Sequence, residues 1–495
     1  MSSFDGMNDE VYRPKKFAED RSAAFAARHP HRHVNFLNQP DVSRRRFFEV
    51  AGAGLASYFA TSGVARAAES EVLSAGVTTK NTAKNVIFIF LPGAISTVDT
   101  FDFKGTSSVP ADALAKLAPA TVNGIKWPAG LMPKLGNQLG DIALVRSMSA
   151  WALVHSLAQT WTQIGRNPVA ALGDIAPNLG SIVAIEKDAE RKPGQIFPSF
   201  VSLNTGSGPG SGYLPASNGP FRVTTSRNAT NTTGLPNTAN PNAANPTAFE
   251  GMYNRLRQYD AAYRTNSPYG SEVQNYDAFF AAAKGLMYNP AVQTAFNFNA
   301  TDSARYGSTQ FGNACLVAKQ ILQANQGTRF IQISQGGWDM HSNIYANDNQ
   351  SIFGMVPQLD NGLSALLADL KASGMLGETL VFMVAEFGRT PALSAAAGRD
   401  HFLLQSAFMA GGGVKGGKVI GATNADGSAV TEFGWNGSGG SGPRYVRPED
   451  LVATVLSALG IDWTTIRRDD PFGRGFEYVP FAADGAYGPI HELWS

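Results

Sequence analysis

Three short runs of β-branched and apolar residues, each followed at once by small or polar ones, constrain this chain most: Asn85–Leu91, Arg329–Ser334 and Thr379–Ala385. Runs of this form are strands buried on both faces, as the parallel sheets of α/β proteins require. Between the last two, Met355, Leu359, Leu363, Leu366, Leu367 and Leu370 recur at helical spacing across Ile352–Ser373, and Gly374 supplies a stop. Strand, helix, strand over this length predicts a right-handed parallel crossover. A late helix is expected from Pro448 through Leu459, because proline suits a first turn and Glu449 and Asp450 suit the positive end of the dipole.

The N-terminal part reads differently. Residues 1–42 are a polar extension, after which Ser43-Arg44-Arg45-Arg46-Phe47-Phe48-Glu49 sets an arginine pair ahead of aromatics. Val50–Ser62 is a short Gly/Ala-rich apolar run, and Ala65-Arg66-Ala67 offers an A-x-A exit before Ala68. That order predicts a twin-arginine signal peptide over 43–67, with an anchoring or amphipathic helix as the alternative. The apolar run is too short to span a bilayer. The expected destination is the periplasm or the medium, reached through the twin-arginine translocase, with no integral membrane domain left after cleavage. This route carries folded proteins and so suits a metal inserted beforehand.

A lone Cys315 excludes an internal disulfide, so stability must come from the core. Lys+Arg of 40 against Asp+Glu of 39, without a cluster of arginines and aromatics, speaks against a nucleic-acid partner. One domain is expected over 85–480. Two Gly/Asn/Thr-rich stretches, 204–247 and 421–443, interrupt it as loop insertions rather than linkers, since patterned segments resume on both sides.

In an open parallel sheet, ligands bind beyond the carboxyl ends of the strands. The first run delivers Ser96, Thr97, Asp99 and Asp102 there; the second delivers Trp338-Asp339-Met340-His341; the third delivers Glu386-Phe387-Gly388-Arg389-Thr390, with Arg399-Asp400-His401 shortly after. Acids and histidines at strand ends make an oxygen-and-imidazole cage for one or two divalent metals. Each piece has a structural alternative. Asp99 or Asp102 could cap a turn, His341 and His401 could be hydrogen-bonded framework histidines, and Arg389 could pair with Glu386 or a neighbouring acid instead of clamping an oxyanion. Gly411–Gly417 could cradle an anion or simply reverse the chain. His155 has no partner at a telling spacing, and burial is its expected fate.

At these residues the sequence resembles the bacterial exported family called domain of unknown function 1501, of the alkaline-phosphatase-like superfamily. The segments that carry the resemblance are Leu91–Lys104, Asp141–Met148, Pro177–Ser181, Gly337–His341, Glu386–Pro391, Gly398–His401 and Gly411–Gly417. The resemblance implies a three-layer α/β/α sandwich with a mostly parallel central sheet. It places Ser96 or Thr97 near the nucleophile position, and Asp99, Asp339, His341, Glu386, Asp400 and His401 near metal-ligand positions, with the metal one of Zn, Mn, Ca or Mg. The chain departs from the pattern at Glu386-Phe387, at Gly93-Ala94-Ile95-Ser96 and at Tyr445–Pro448, so one metal, two metals or a vestigial site all fit. The Cys-x-Pro-x-Arg turn of formylglycine sulfatases is absent. Two functions follow: an exported metal-dependent hydrolase of a phosphate, sulfate or related anionic ester, with Ser96, Thr97 or a metal-bound water as nucleophile and Arg389 or Lys415 on the oxyanion, or a catalytically silent envelope protein that binds a protein or glycan.

Overall fold

The computed structural model describes residues 76–495 except 107, 171, 207, 228–245, 266–283, 285, 287–289 and 439–441, all within the second of two compact units, Ser70–Ser495. The polar extension 1–42 and the signal peptide 43–67 lie outside the described residues.

The main sheet has eight strands: β1 (Asn85–Phe90), β2 (Ile142–Ser149), β3 (Phe200–Leu203), β4 (Phe221–Val223), β5 (Phe330–Ser334), β6 (Thr379–Val384), β7 (Leu404–Ala410) and β8 (Lys418–Ile420). Their order across the sheet is β8-β2-β7-β6-β1-β5-β3-β4. Every neighbouring pair is parallel except the two that involve β7. The three runs expected to be strands are β1, β5 and β6. They sit together at the centre, with β1 between the other two in parallel register, Ile87 opposite both Ile331 and Val381.

The central position explains the continuous apolar runs, since period-two alternation sends each strand's side chains into two cores. Ile87, Ile89, Ile331, Ile333, Val381 and Met383 share one core with the helices Gln310–Ala324 (α3) and Ile352–Ala372 (α4). Val86, Phe88, Phe330, Leu380 and Phe382 share the other with Leu179–Lys187 (α2) and Pro448–Ala458 (α5). Phe88 and Phe382 stack at 4.4 Å between ring centres in that second core. The result is an α/β/α sandwich. Each fully buried Leu or Ile contributes roughly 1.5–3 kcal/mol; Cys315 itself lies buried in α3.

The stretch 204–247, expected to be a surface excursion, is not all loop. Phe221–Val223 within it returns as edge strand β4, pairing Val201 with Phe221 and Leu203 with Val223. Residues 421–443 include a small hairpin, Ala422–Thr423 with Val430–Glu432, and Trp435, which is buried and donates to the Arg444 carbonyl at 2.6 Å. Gly411–Gly417 reverses the chain after β7. Its Gly412, Val414, Lys415 and Gly417 amides donate to backbone carbonyls, which accounts for the segment as a turn rather than an anion cradle.

Candidate metal centre

The carboxyl ends of β1, β2, β5 and β6 lie along one edge of the sheet, and antiparallel β7 begins there. Two close backbone approaches bring the loops of this edge together. Gly93 adopts φ +103°, and a Cβ there would sit 2.7 Å from the Asp339 amide nitrogen, so only glycine lets the β1 loop pack on the Trp338-Asp339 peptide. A Cβ on Gly398 would lie 2.0 Å from the His341 carbonyl carbon, which presses the segment before β7 onto the β5 loop. His401 then pairs with Arg389 in a two-residue antiparallel ladder. His155 opens the helix His155–Ile164 (α1), six residues beyond the end of β2.

Four side chains converge: His155, Asp339, His341 and His401 each offer one ligand atom, all within 4.8 Å of one another. Asp339 Oδ1 lies 3.2 Å from His155 Nε2, 3.0 Å from His341 Nε2 and 3.8 Å from His401 Nε2, while the Nε2 atoms of His341 and His401 are 3.0 Å apart.

The other ring nitrogen of each histidine faces an acceptor. His155 Nδ1 is 2.7 Å from Glu386 Oε1, His341 Nδ1 2.7 Å from Asp400 Oδ1, and His401 Nδ1 2.7 Å from the Leu153 carbonyl oxygen. A neutral imidazole has one proton, and these acceptors draw it to Nδ1. The Nε2 atoms of all three thus face the same carboxylate oxygen, those of His155 and His401 with no donor from Arg389 and that of His341 accepting from Arg389 Nη1 at 3.3 Å. Four electron-rich atoms so close repel unless positive charge lies among them; the Arg389 guanidinium meets two of them, Asp339 Oδ1 and His341 Nε2, but donates to neither His155 Nε2 nor His401 Nε2. His155 Nε2 is in addition buried and without a hydrogen bond. The donor set thus fits a divalent metal; three imidazoles with one carboxylate suit a transition metal such as zinc, whereas Ca and Mg favour all-oxygen shells.

The surroundings keep the ligands in ligating form. Burial pushes the Asp339 carboxyl up, but the hydrogen bond and charge of Arg389, with His155 and His341 nearby, outweigh it and hold the group below the usual carboxylate range. His401 is held below the usual histidine range, mainly by burial and partly by Arg389 and the other two histidines, against the opposing bond to Leu153. Phe387, fully buried, packs its ring 4.8 Å from that of His155 and 4.5 Å from that of His401 and floors the site.

Of the residues expected at the site, Asp339, His341 and His401 are brought together, and His155 joins them rather than disappearing into the core. Glu386 and Asp400 stand one layer behind, orienting His155 and His341. Glu386 is enclosed: Oε1 accepts from the Gly93 amide (2.8 Å), Gln159 Nε2 (3.0 Å) and His155. A run of amides extends away from it, from Gln163 Nε2 to the Gln159 carbonyl, Gln332 Nε2 to Gln163 Oε1, and Asn178 Nδ2 to Gln332 Oε1.

Three expectations need correction. Asp99 is not in the cluster. It is a buried ion pair with Arg399, and its four hydrogen bonds come from Ser96 Oγ, Tyr345 Oη and Arg399 Nε and Nη2. Ser96 and Thr97 are both buried, and the Ser96 hydroxyl, 2.6 Å from Asp99 Oδ2, is committed to that carboxylate. Arg389 has all five N–H groups engaged, by the carbonyls of Gly93, Ala94 and Arg399, by His341 Nε2 and by Asp339 Oδ1, so it braces the loops and has none left for an oxyanion.

The family described as "Protein of unknown function (DUF1501)" matches residues 83–477. No curated protein matches the chain. Among solved structures, the chain is similar to the PsFucS1 sulfatase from Pseudoalteromonas sp., at 13% identity and TM-score 0.39 over 92% of this chain and 77% of that one. It is similar also to the phosphonate monoester hydrolase of Agrobacterium radiobacter, at 12% and 0.36 over 83% and 77%. An alkaline phosphatase superfamily protein from Vibrio parahaemolyticus gives 12% and 0.35 over 79% and 70%.

Proposed function

The chain belongs to the DUF1501 family, and on that footing we propose that it is an exported, metal-dependent hydrolase of a phosphate, sulfate or related anionic ester, with one divalent ion held by His155, Asp339, His341 and His401. The observation that carries the proposal is the clustering of three Nε2 atoms and Asp339 Oδ1 within 4.8 Å of one another, each imidazole oriented from behind. A divalent cation bound there supplies Lewis acidity for the ester oxygens and a lowered pKa for water.

The residues themselves bind and orient. Asp400 and Glu386 keep the proton on Nδ1 of their histidines, and Arg389 keeps Asp339 ionised. Asp339 and His341 are about half exposed, which opens one side of the site to an anionic ester and to solvent. Since the Ser96 hydroxyl is tied to Asp99, the nucleophile in this reading is water and no covalent intermediate forms on Ser96 or Thr97.

Elemental mass spectrometry of the mature protein tests the site. Near-stoichiometric metal, lost in Asp339→Ala/His341→Ala and in His155→Ala without unfolding, is expected; full retention in those variants defeats it. A screen of phosphate and sulfate esters with added Zn, Mn, Ca or Mg tests the activity, and turnover that survives in Ser96→Ala is expected. Export is tested by Arg44→Lys/Arg45→Lys/Arg46→Lys, which should leave the protein in the cytoplasm.

The burial of Ser96 and Thr97 and the full engagement of Arg389 favour a second reading, a catalytically silent protein with a structural metal that binds a protein or glycan. Any metal-dependent turnover eliminates it.

A further inference from the structure

An apolar rim adjoins the metal ligands. Trp151 (41% exposed), Leu153 (39%), Val154 (59%) and Leu403 (40%) are all large hydrophobic side chains open to solvent. They lie on two segments tied to each other and to the cluster. Val154 is the N-cap of α1, whose first residue is His155; the Leu153 carbonyl holds His401 Nδ1; and the Ala150 amide donates to the Leu403 carbonyl at 2.9 Å. Exposed apolar side chains gathered at the mouth of a polar site mark a binding surface rather than chance exposure.

Trp151 is also held in place. Its indole N–H donates to Glu449 Oε2 at 2.9 Å, and Trp161, its stacked neighbour at 6.1 Å, donates to Glu449 Oε1 at 2.7 Å. The Arg447 guanidinium lies 3.8 Å over the Trp151 ring, itself anchored to the carbonyls of Ser149 and Ala150. Glu449 is buried, and burial raises its carboxyl above the ordinary glutamate value. A buried carboxylate devoted to two indoles is a costly arrangement, and its effect is to fix a partly exposed tryptophan beside an open metal site.

We propose that this rim is a subsite for the hydrocarbon part of the ester, so that the substrate joins an anionic group to an alkyl or aryl alcohol. The inference rests on the hydrolase reading above and narrows its substrate class. The chemistry of the rim selects the occupant. Leu153, Val154 and Leu403 have no polar side-chain atoms, and the single N–H of Trp151 is taken by Glu449, so these four side chains offer no hydrogen bond to the hydroxyls of a sugar.

The test is calorimetric titration of the metal-loaded mature protein with methylphosphonate, butylphosphonate and phenylphosphonate, which carry the anion but no scissile ester. The larger two should bind more than about ten-fold tighter than methylphosphonate, the gain that burial of two methylenes gives. That ratio should fall toward one in Trp151→Ala and, independently, in Leu403→Ser. Equal affinities in the wild type, or a ratio that survives in both variants, overturns the subsite. So does a glucose 6-phosphonate that binds as tightly as the butyl compound. Failure of the metal-loaded protein to bind methylphosphonate overturns instead the hydrolase reading, and the subsite with it.

Discussion

Replacing Asp99 by asparagine should destabilise the fold while leaving the metal in place. In the native protein Asp99 Oδ1 accepts from Tyr345 Oη (2.6 Å) and Arg399 Nη2 (3.0 Å), and Oδ2 from Ser96 Oγ (2.6 Å) and Arg399 Nε (2.7 Å). Both side chains of the ion pair are essentially inaccessible. Burial alone lowers the Arg399 guanidinium, but Asp99 and Tyr345 outweigh it and raise it above its ordinary value. Asparagine keeps the shape and removes the charge, leaving Arg399 a buried cation with no carboxylate, only the carbonyls of Thr390 and Pro391 and the Tyr345 hydroxyl besides the new amide oxygen. Its amide also sets a donor against donors. Removing one partner of a buried pair costs about 3–5 kcal/mol, readable as a drop in the urea midpoint at constant slope. The double substitution Asp99→Leu/Arg399→Met, which removes both charges, should recover most of that loss. Elemental analysis should find native metal content in both. An Asp99→Asn protein that loses its metal yet keeps its unfolding midpoint would refute the reasoning and restore Asp99 as a ligand.

Three further outcomes are expected. Glu386→Gln weakens the orientation of His155 and should lower metal affinity about 10–100-fold, with a shifted visible spectrum when cobalt(II) replaces the native ion. Chelation of the metal should lower thermal stability, by about 2.7 kcal/mol relative to protein held at free metal one hundred times Kd, and readdition should restore it. Glu449 has a folded-state pKa raised by burial, so as pH climbs from the ordinary glutamate value toward that raised value the unfolded chain loses a proton that the native state keeps. Stability from this group is present below that window and falls as pH rises through it. Urea unfolding across the window should show the decline, and Glu449→Gln should flatten it.

The central strands, the helix between β5 and β6 and the helix α5 were legible because burial on both sheet faces leaves long apolar runs, and burial on one helix face leaves a 3.6-residue period. The edge elements were not. Phe221-Arg222-Val223 is too short and too polar to stand out from a Gly/Asn/Thr-rich stretch, and it pairs only because β3 is beside it. At the site, strand ends pointed to Asp339, His341 and His401. His155 stands out less because Arg146 and Ser147 break the apolar run of Ile142–Ser149 that would mark it as a strand. The same rule, a ligand just past a parallel strand's carboxyl end, finds His155 once Ile142–Ser149 is read as β2. The engagement of Asp99 and Arg389 left no such trace, because Arg399 and the Gly93 carbonyl reach them only through tertiary folding.

The two carboxylates behind the histidines differ in one respect that bears on how a metal leaves. Asp400 is 59% exposed and its His341 45%, whereas Glu386 is 0% and its His155 27%. A small chelator can approach from the His341 side and draw off that ligand while Glu386 still pins His155. On the proposed function, release of a bound ion is therefore expected to be chelator-assisted, at a rate that climbs with chelator concentration; a rate independent of chelator would refute this.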